Sequence, residues 1–236
     1  MRISPNGRIR LAIAIPHPNG RCLDIGFLDS FANMEKPCEY VYMRPSFPAP
    51  IDQMRNDLIR QAQKAKCTHI FMTDTDQVEY PRDTIARLMS HNQLIACGKV
   101  HRRYPPFDPI LLKKNASRPG TYVQVPEDEW IKGNLVEVDA IGAACMLMDM
   151  RIFDTINGPW FETLRGSEVI GIEGYEPEDE EKAMIGEDIR FCQKMRSMHI
   201  PIFVDTSVKV GHLATFIINE EFYLMFKKFF DKRKDT

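Results

Sequence analysis

Short apolar runs alternate with an amphipathic segment along the first hundred residues. The runs Ile9–Ile15, Tyr40–Met43, Thr68–Thr73 and Leu94–Cys97 are too short for helices and are typical of buried strands. Apolar side chains at a spacing of three or four residues predict a helix over Ile51–Lys66. Because strands that alternate with helices favour a parallel sheet, the pattern predicts an α/β fold with a mainly parallel sheet flanked by helices.

The second half of the chain has a less regular pattern, which predicts a smaller antiparallel portion. The acidic stretch 161–186 has no apolar period and predicts a long loop. An amphipathic helix is predicted near the C-terminus. The other predicted elements are strands at Tyr122–Val125 and Leu135–Val138, an apolar run over Ala140–Met148, a helix over Glu187–Met198, and strands at Ile202–Val204 and Val208–Val210.

Composition and charge exclude several classes of protein. The 236 residues include 31 Lys and Arg and 33 Asp and Glu, with 44% hydrophobic and 27% charged residues. These are ordinary globular values, which exclude a disordered chain, a coiled coil and a collagen-like fibre. The net charge of −2 argues against a general nucleic-acid partner, because such binding needs a cationic excess.

The cysteines and the N-terminal segment favour a reducing compartment. The 6 cysteines form no CxxC pair, and we expect them to be reduced structural thiols. The apolar run Leu11–Ile15 is shorter than the apolar core of a signal peptide. No stretch approaches the length of a membrane span. We therefore expect a cytoplasmic protein.

Two closely spaced carboxylates, Asp74 and Asp76, follow the third predicted strand. If that strand continues through them, both side chains face the same side of the sheet. Neighbouring carboxylates repel each other unless a cation or a proton lies between them, so a metal site is one interpretation. The other interpretation is a helix N-terminus before Pro81, with Asp76 or Glu79 as its cap.

Four further positions have both a chemical and a structural interpretation. Asp188 and the adjacent Glu187 can act on an acceptor or can form the acidic first turn of a helix. Trp160 can stack on a sugar ring or anchor the core. Gly142 lies in a run of small residues, which suits either a closely bound sugar or tight packing. The basic stretch after the fourth strand, residues 99–103, can contact phosphate or lie exposed.

Four ordered segments resemble the GT-A glycosyltransferases, in particular family-2-like enzymes of phage and bacterial type. They read LAIAIP, APIDQMRNDLIRQAQKAKCTHIFMTDTD, VDAIGAACMLMDMRIFDTI and GEDIRFCQKMRSMHIPIFVDTSVKVGHL, and together they span Ile9–Leu213. The second segment ends in the family's DxD motif. The QxxRW motif of processive synthases is absent after the fourth segment, which favours transfer of a single sugar.

The resemblance implies a single GT-A, Rossmann-like domain over residues 1–236. Its parts are a nucleotide-binding half at about 1–98, an acceptor and catalytic half at about 99–213, and a C-terminal helix at about 214–236. The implied reaction moves a sugar from a nucleotide-sugar, expected to be UDP-linked, to a saccharide or other hydroxyl acceptor. The implied cofactor is Mn²⁺ or Mg²⁺, which suits oxygen and imidazole ligands.

The resemblance also implies roles for individual residues. Asp188 is the expected general base, and its match to the base of inverting relatives slightly favours inversion. The expected metal ligands are Asp76, His212 and Asp74. The expected nucleotide-sugar contacts are Pro16, Arg55, Asp74, Thr75, Asp76 and Gly142. The expected acceptor contacts are Glu187 and Trp160.

Two other functions remain open at the level of sequence. A nucleotidyltransferase that forms nucleotide-sugars would also need a parallel sheet and a metal. Such an enzyme usually has a Gly-rich phosphate loop after the first strand, where this chain has only Asn19-Gly20-Arg21. The other alternative is a non-catalytic sugar-binding protein. The Phe-rich and Lys-rich C-terminal helix is compatible with weak contact to a membrane surface or a second copy, or with docking on its own domain.

Overall fold

A seven-stranded sheet with flanking helices forms the centre of the protein. The computed structural model describes residues 8–17, 22–118, 120–170, 184–216 and 218–234. The strands are β1 (Arg10–Ala14), β2 (Glu39–Met43), β3 (His69–Thr73), β4 (Gln77–Val78), β5 (Ile95–Lys99), β6 (Leu112–Lys114), β7 (Tyr122–Gln124), β8 (Leu135–Val138), β9 (Cys145–Asp149), β10 (Leu164–Arg165), β11 (Met184–Ile185), β12 (Ile202–Lys209) and β13 (Gly211–His212). The helices are α1 (Ile25–Asn33), α2 (Ile51–Lys64), α3 (Thr84–Ser90), α4 (Glu127–Trp130), α5 (Ile152–Thr155), α6 (Ser167–Ile170), α7 (Glu187–Ser197) and α8 (Glu220–Lys234).

The strand order of the main sheet is β2-β1-β3-β9-β5-β12-β8. Strand β1 pairs in parallel with β2 and β3, and β5 pairs in parallel with β12. Strand β9 is antiparallel to both β3 and β5, and β8 is antiparallel to β12. Five strands therefore run in one direction, which confirms the predicted mainly parallel α/β fold. Smaller antiparallel sheets, such as the pair of β6 and β7, accompany it.

The helix predicted from apolar spacing is α2, which packs against β1 and β2. Its side chains Leu58, Ile59 and Ala62 are fully buried in the core. Complete burial of a Leu or Ile side chain contributes about 1.5–3 kcal/mol, so this face anchors the helix to the sheet. Asn56, also on α2, accepts hydrogen bonds from the backbone N–H groups of Trp160 and Phe161 at 2.9 and 3.0 Å.

Several predicted elements differ from the observed ones. Helix α1, which buries Phe27, was not predicted. The predicted loop over 161–186 contains β10, α6 and β11, while residues 171–183 lie outside the described ranges. Two predicted strands form the single strand β12, whose register against β5 shifts between Asp205 and Lys209. Helix α8 begins at Glu220 rather than near residue 214.

Two further features concern the described helices and the cysteines. Within the described ranges, no helix is both long enough and apolar enough to cross a membrane. All six cysteines are free thiols, and Cys67, Cys97, Cys145 and Cys192 are buried.

Candidate active site

The candidate site lies at the edge of the sheet where β3 and β5 end. Because β9 runs in the opposite direction, it begins at this edge, with Cys145 paired to Thr73. The residues that follow β3, follow β5 and precede β9 therefore meet at one place. The first turn of α7 adds Glu187 and Asp188 to it. Carboxyl ends of parallel strands are the usual position of ligand sites in α/β sheets.

A cavity of about 180 Å³, here called the site cavity, opens at this edge. It is lined by Ile51, Arg55, Asp74, Asp76, Gln77, Val100, His101, Arg103, Ile110, Gly142, Ala143, Ala144, Glu187, Asp188 and His212. Most of the residues that the sequence singled out therefore share one cavity, although they come from distant parts of the chain.

The buried side chain of Arg55 contacts two carboxylates of the site cavity, those of Asp74 and Glu187. Its side chain is 3% exposed, and its Nη2 donates to both carboxylate oxygens of Asp74 at 3.0 and 3.1 Å. Its Nε lies 3.4 Å from Glu187 Oε1, which is a charge contact. Burial alone would lower the pKa of the guanidinium, but the neighbouring carboxylates raise it. Arg55 is thus permanently charged and faces carboxylates, not solvent.

Asp188 has a carboxyl group whose pKa is shifted towards neutral pH. Burial, and then the negative charge of Glu187, raise the pKa of Asp188 to about 6, while Arg55 opposes this shift. Its Oδ1 accepts a hydrogen bond from the N–H of Ile189 at 2.7 Å. A carboxylate with such a pKa is mostly ionised at pH 7 and can still accept a proton readily.

Gly142 leaves open space in front of Asp188. A Cβ atom at this position would lie 3.6 Å from Asp188 Oδ2 and 3.5 Å from Ile110 Cδ1. Both are ordinary van der Waals distances, so a methyl group would fit without a clash. It would also occupy the space next to the carboxylate that a reacting group needs.

Asp74 and Asp76 point to different partners. Strand β3 ends at Thr73, as predicted, and Asp76 lies in a turn, so the condition under which both side chains would share one side of the sheet is not met. Asp74 is held by Arg55, whereas Asp76 Oδ2 lies 3.3 Å from His212 Nε2 and 3.0 Å from Arg103 Nη1. The two carboxylates avoid mutual repulsion because each has its own cation.

The pairing of β4 with β13 brings His212 to Asp76. This short antiparallel pair places His212 opposite Gln77. His212 Nδ1 lies 2.6 Å from the carbonyl oxygen of His101 and must donate to it, because a carbonyl only accepts. Burial lowers the pKa of His212, but the contact with Asp76 and the hydrogen bond to His101 together outweigh burial and raise that pKa. Conversely, burial raises the pKa of Asp76, but the contacts with His212 and Arg103 together outweigh burial and lower that pKa.

The donor set fits a divalent ion only in part. Within the described ranges, no three His, Cys, Asp or Glu side chains converge closely enough to hold a metal ion. Asp76 and His212 provide two donors 3.3 Å apart. Two ligands at right angles, each about 2.1 Å from an octahedral ion, are about 3 Å apart, so this pair matches two neighbouring positions. Both carboxylate oxygens of Asp74 accept hydrogen bonds from Arg55, so Asp74 is not part of this pair.

Three expected site residues do not line the site cavity in the described part of the chain. Trp160 is 5% exposed, its Nε1 donates to the carbonyl oxygen of Ile156, and its ring packs edge-on against Phe153 at 5.4 Å. It is a core residue without a free face, which corrects the expectation of an acceptor contact. The other two residues are Pro16 and Thr75. Pro16 follows β1, and the hydroxyl of Thr75 lies 3.5 Å from Nδ1 of His17, the residue after Pro16.

The structure gives one residue of the predicted basic stretch a defined contact and adds one residue that the sequence did not single out. Arg103 comes from the basic stretch after β5 and contacts Asp76 directly. Gln77 is 1% exposed and lines the site cavity, and its Oε1 has no hydrogen-bond partner among the described residues. A buried amide oxygen without a partner is costly, so a ligand hydroxyl would be a favourable donor to it. No sequence signal marks Gln77, because its burial depends on the pairing of β4 with β13.

Comparison with known proteins shows the fold and no sequence family. No family model and no curated protein matches the sequence. Among solved structures, A197 from STIV aligns with a TM-score of 0.51 at 16% identity, covering 87% of this chain and 85% of that one. The chain therefore shares its overall fold with A197. The 2-C-methyl-D-erythritol 4-phosphate cytidylyltransferase of Thermus thermophilus aligns at 12% identity over 92% of this chain and 96% of its own, with a TM-score of only 0.34.

Proposed function

We propose that the protein is a metal-dependent glycosyltransferase that moves a single sugar from a nucleotide-sugar, expected to be UDP-linked, to a hydroxyl acceptor. The observation that carries the proposal is that one cavity is lined both by a pair of side chains that can bind a metal and by a carboxylate that can act as a base. The pair formed by Asp76 and His212 lies on one wall, and Asp188, whose pKa is raised to about 6, lies on another. The resemblance of the four sequence segments to GT-A enzymes assigns matching roles to these groups.

The residues of the site cavity suit a direct displacement. Asp188 accepts the proton of the acceptor hydroxyl while the oxygen of that hydroxyl forms a bond to the anomeric carbon of the sugar. The bond from that carbon to the diphosphate oxygen breaks, and the electron pair leaves with the diphosphate. Attack opposite the leaving group inverts the anomeric configuration.

The other charged residues of the site cavity suit the leaving group. Asp76 and His212 would hold Mn²⁺ or Mg²⁺, with substrate oxygens and water as the remaining ligands. When bound, the ion offsets the negative charge that develops on the diphosphate. Arg103, beside Asp76, adds a second positive charge at the same wall. Gly142 leaves room for the transferred sugar next to Asp188.

The decisive experiment measures release of nucleoside diphosphate. The protein is incubated with Mn²⁺ and a panel of nucleotide-sugars, with and without a chelator, and the released diphosphate is quantified. We expect release that depends on the metal and is lost in Asp76→Ala. The exposed Asp29→Asn change on α1 is the matched control and should leave release unchanged. Absence of both turnover and metal binding would refute the proposal.

Two further variants separate binding from transfer. Asp188→Asn should bind the donor normally, as measured by calorimetry, but lose transfer by a factor of about 100 or more. Gly142→Ala should fold normally and lose transfer, because its methyl group fills the space beside Asp188. Transfer near the wild-type rate in Asp188→Asn would show that another group is the base. Release of pyrophosphate from a nucleoside triphosphate and a sugar phosphate would instead identify a nucleotidyltransferase.

A further inference from the structure

A second cavity of about 560 Å³, here called the apolar cavity, lies next to the site cavity. Its aromatic wall is a continuous row in which Phe107 meets Phe216 at 5.8 Å, Phe216 meets Phe222 at 5.5 Å, and Phe222 meets Phe226 at 4.8 Å between ring centroids. The volume lies within the range of about 300–1,000 Å³ that is usual for small-molecule sites. The apolar cavity is therefore large enough to hold a ligand of its own.

The apolar cavity and the site cavity share one boundary. His101, Arg103 and His212 line both of them. These residues, with Arg102, are the polar part of the lining of the apolar cavity, so polar groups are concentrated at the end that faces Asp76. A ligand that fills both cavities therefore needs a polar end for the site cavity and an apolar body for the aromatic wall.

Helix α8 supplies one wall of the apolar cavity and remains largely exposed. Phe222 is half-buried, but Met225, which also lines the cavity, is 54% exposed. Large apolar side chains that line a concave surface gain free energy when an apolar ligand removes them from water. A second copy of the chain would instead require an extended interface of about 800 Å² on each partner, whereas this surface is a cavity connected to a reactive site.

We propose that the apolar cavity binds the hydrophobic chain of the acceptor, an amphiphile with a hydroxyl group at its polar end. The chain would lie along the aromatic row, and the polar end would cross the shared boundary and place its hydroxyl at Asp188, on the side of the sugar that faces away from the diphosphate. This inference rests on the proposed function, because it names the class of acceptor for the same site. It also favours an acceptor other than a free polar saccharide.

The test uses binding of alkyl glucosides of increasing chain length without donor or metal. Methyl, butyl, hexyl and octyl glucoside are titrated below their micelle concentrations, and dissociation constants are measured by calorimetry. Each methylene that enters the cavity should strengthen binding about three- to fourfold, so affinity should rise steadily with chain length. Equal affinities for methyl and octyl glucoside would overturn the inference.

Two substitutions on α8 form a matched pair for this titration. Met225→Asp places a charge in the lining of the apolar cavity and should weaken octyl glucoside binding at least tenfold. Leu224→Asp, at an exposed neighbouring position outside that lining, should leave it unchanged. Equal losses in both variants would overturn the inference, as would a dimer in sedimentation experiments that Met225→Asp dissociates. Phe107→Ala, on a separate segment, provides a second lining variant with the same expectation.

The two proposals can fail independently. Chain-length-dependent binding without any release of nucleoside diphosphate would support the apolar cavity and refute the glycosyltransferase. Release of diphosphate with equal affinity for all glucosides would support the enzyme and refute the amphiphilic acceptor.

Discussion

Replacing Asp188 by Asn should stabilise the folded protein at neutral pH while removing the proposed base. The pKa of Asp188 is about 6 in the folded state against an ordinary value of 3.8, so the folded state binds this proton more tightly than the unfolded state. The stability that comes from this proton is fully present below pH 3.8 and is lost as the pH rises through 6. Above that pH the folded protein must keep a partly buried negative charge next to Glu187.

The magnitude follows from the size of the pKa shift. A pKa that is raised by about two corresponds to about 3 kcal/mol. Solvent in the open cavity screens the charge of Asp188 and reduces this free energy. We therefore expect Asp188→Asn to raise the free energy of unfolding by about 1–3 kcal/mol at pH 7.5 and by close to zero at pH 4. The Asn side chain can still accept the hydrogen bond from the N–H of Ile189.

Thermal unfolding at several pH values between 4 and 8 tests this reasoning. For a chain of this length, each kcal/mol should move the melting temperature by about 2–4 °C. Asp29→Asn, which neutralises an exposed carboxylate, should shift it little at any pH. An Asp188→Asn protein that is no more stable than the wild type at pH 7.5, or whose gain is the same at pH 4, would refute the argument.

Three further substitutions should lower stability in urea unfolding. Arg55→Met leaves the carboxylates beneath the site cavity without their buried cation and should cost about 3 kcal/mol. Asn56→Ala removes hydrogen bonds to a buried backbone segment and should cost about 2–4 kcal/mol. Gly98→Ala would place its Cβ 2.7 Å from Cys145 Sγ and should cost about 1–3 kcal/mol. Gly142→Ala is the control for this last change, since its Cβ meets no atom closer than 3.5 Å.

Each of these expectations has a result that contradicts it. Wild-type stability of Arg55→Met would mean that the carboxylates need no cation. Unchanged stability of Asn56→Ala would mean that water replaces the amide. Equal effects of the two glycine substitutions would mean that crowding at position 98 is relieved elsewhere.

The sequence predicted those parts of the fold that depend on local periodicity. Helix α2 was predicted because Leu58, Ile59 and Ala62 recur at helical spacing on one buried face. Helix α1 was not predicted, although Phe27 and Phe31 lie four residues apart and stack on each other, and Phe27 is its one buried side chain. The union of two predicted strands into β12 depends on a register shift against β5, which is a property of the pairing and leaves no local pattern.

The candidate site was predictable as a set of residues and not as a set of contacts. Asp74, Asp76, Asp188 and His212 all line one cavity, as the resemblance implied. The partner of each carboxylate was not predictable, because it depends on contacts between distant segments. Arg55 was expected at the nucleotide, yet its guanidinium binds carboxylates beneath the cavity. Likewise, burial of an aromatic residue such as Trp160 is decided by the packing around it.

The central position of β9 has a consequence for how the chain can be assembled. This strand lies between β3 and β5, although it follows both of them in the sequence. A nascent chain that ends before Cys145 therefore exposes two unpaired strand edges and lacks the middle of its sheet. The parts of the chain before and after residue 99 therefore complete each other's hydrogen bonding, since β9 pairs with β3 and β5 and β12 pairs with β5. A split of the gene near residue 99 should thus yield fragments that acquire structure only by complementation with each other.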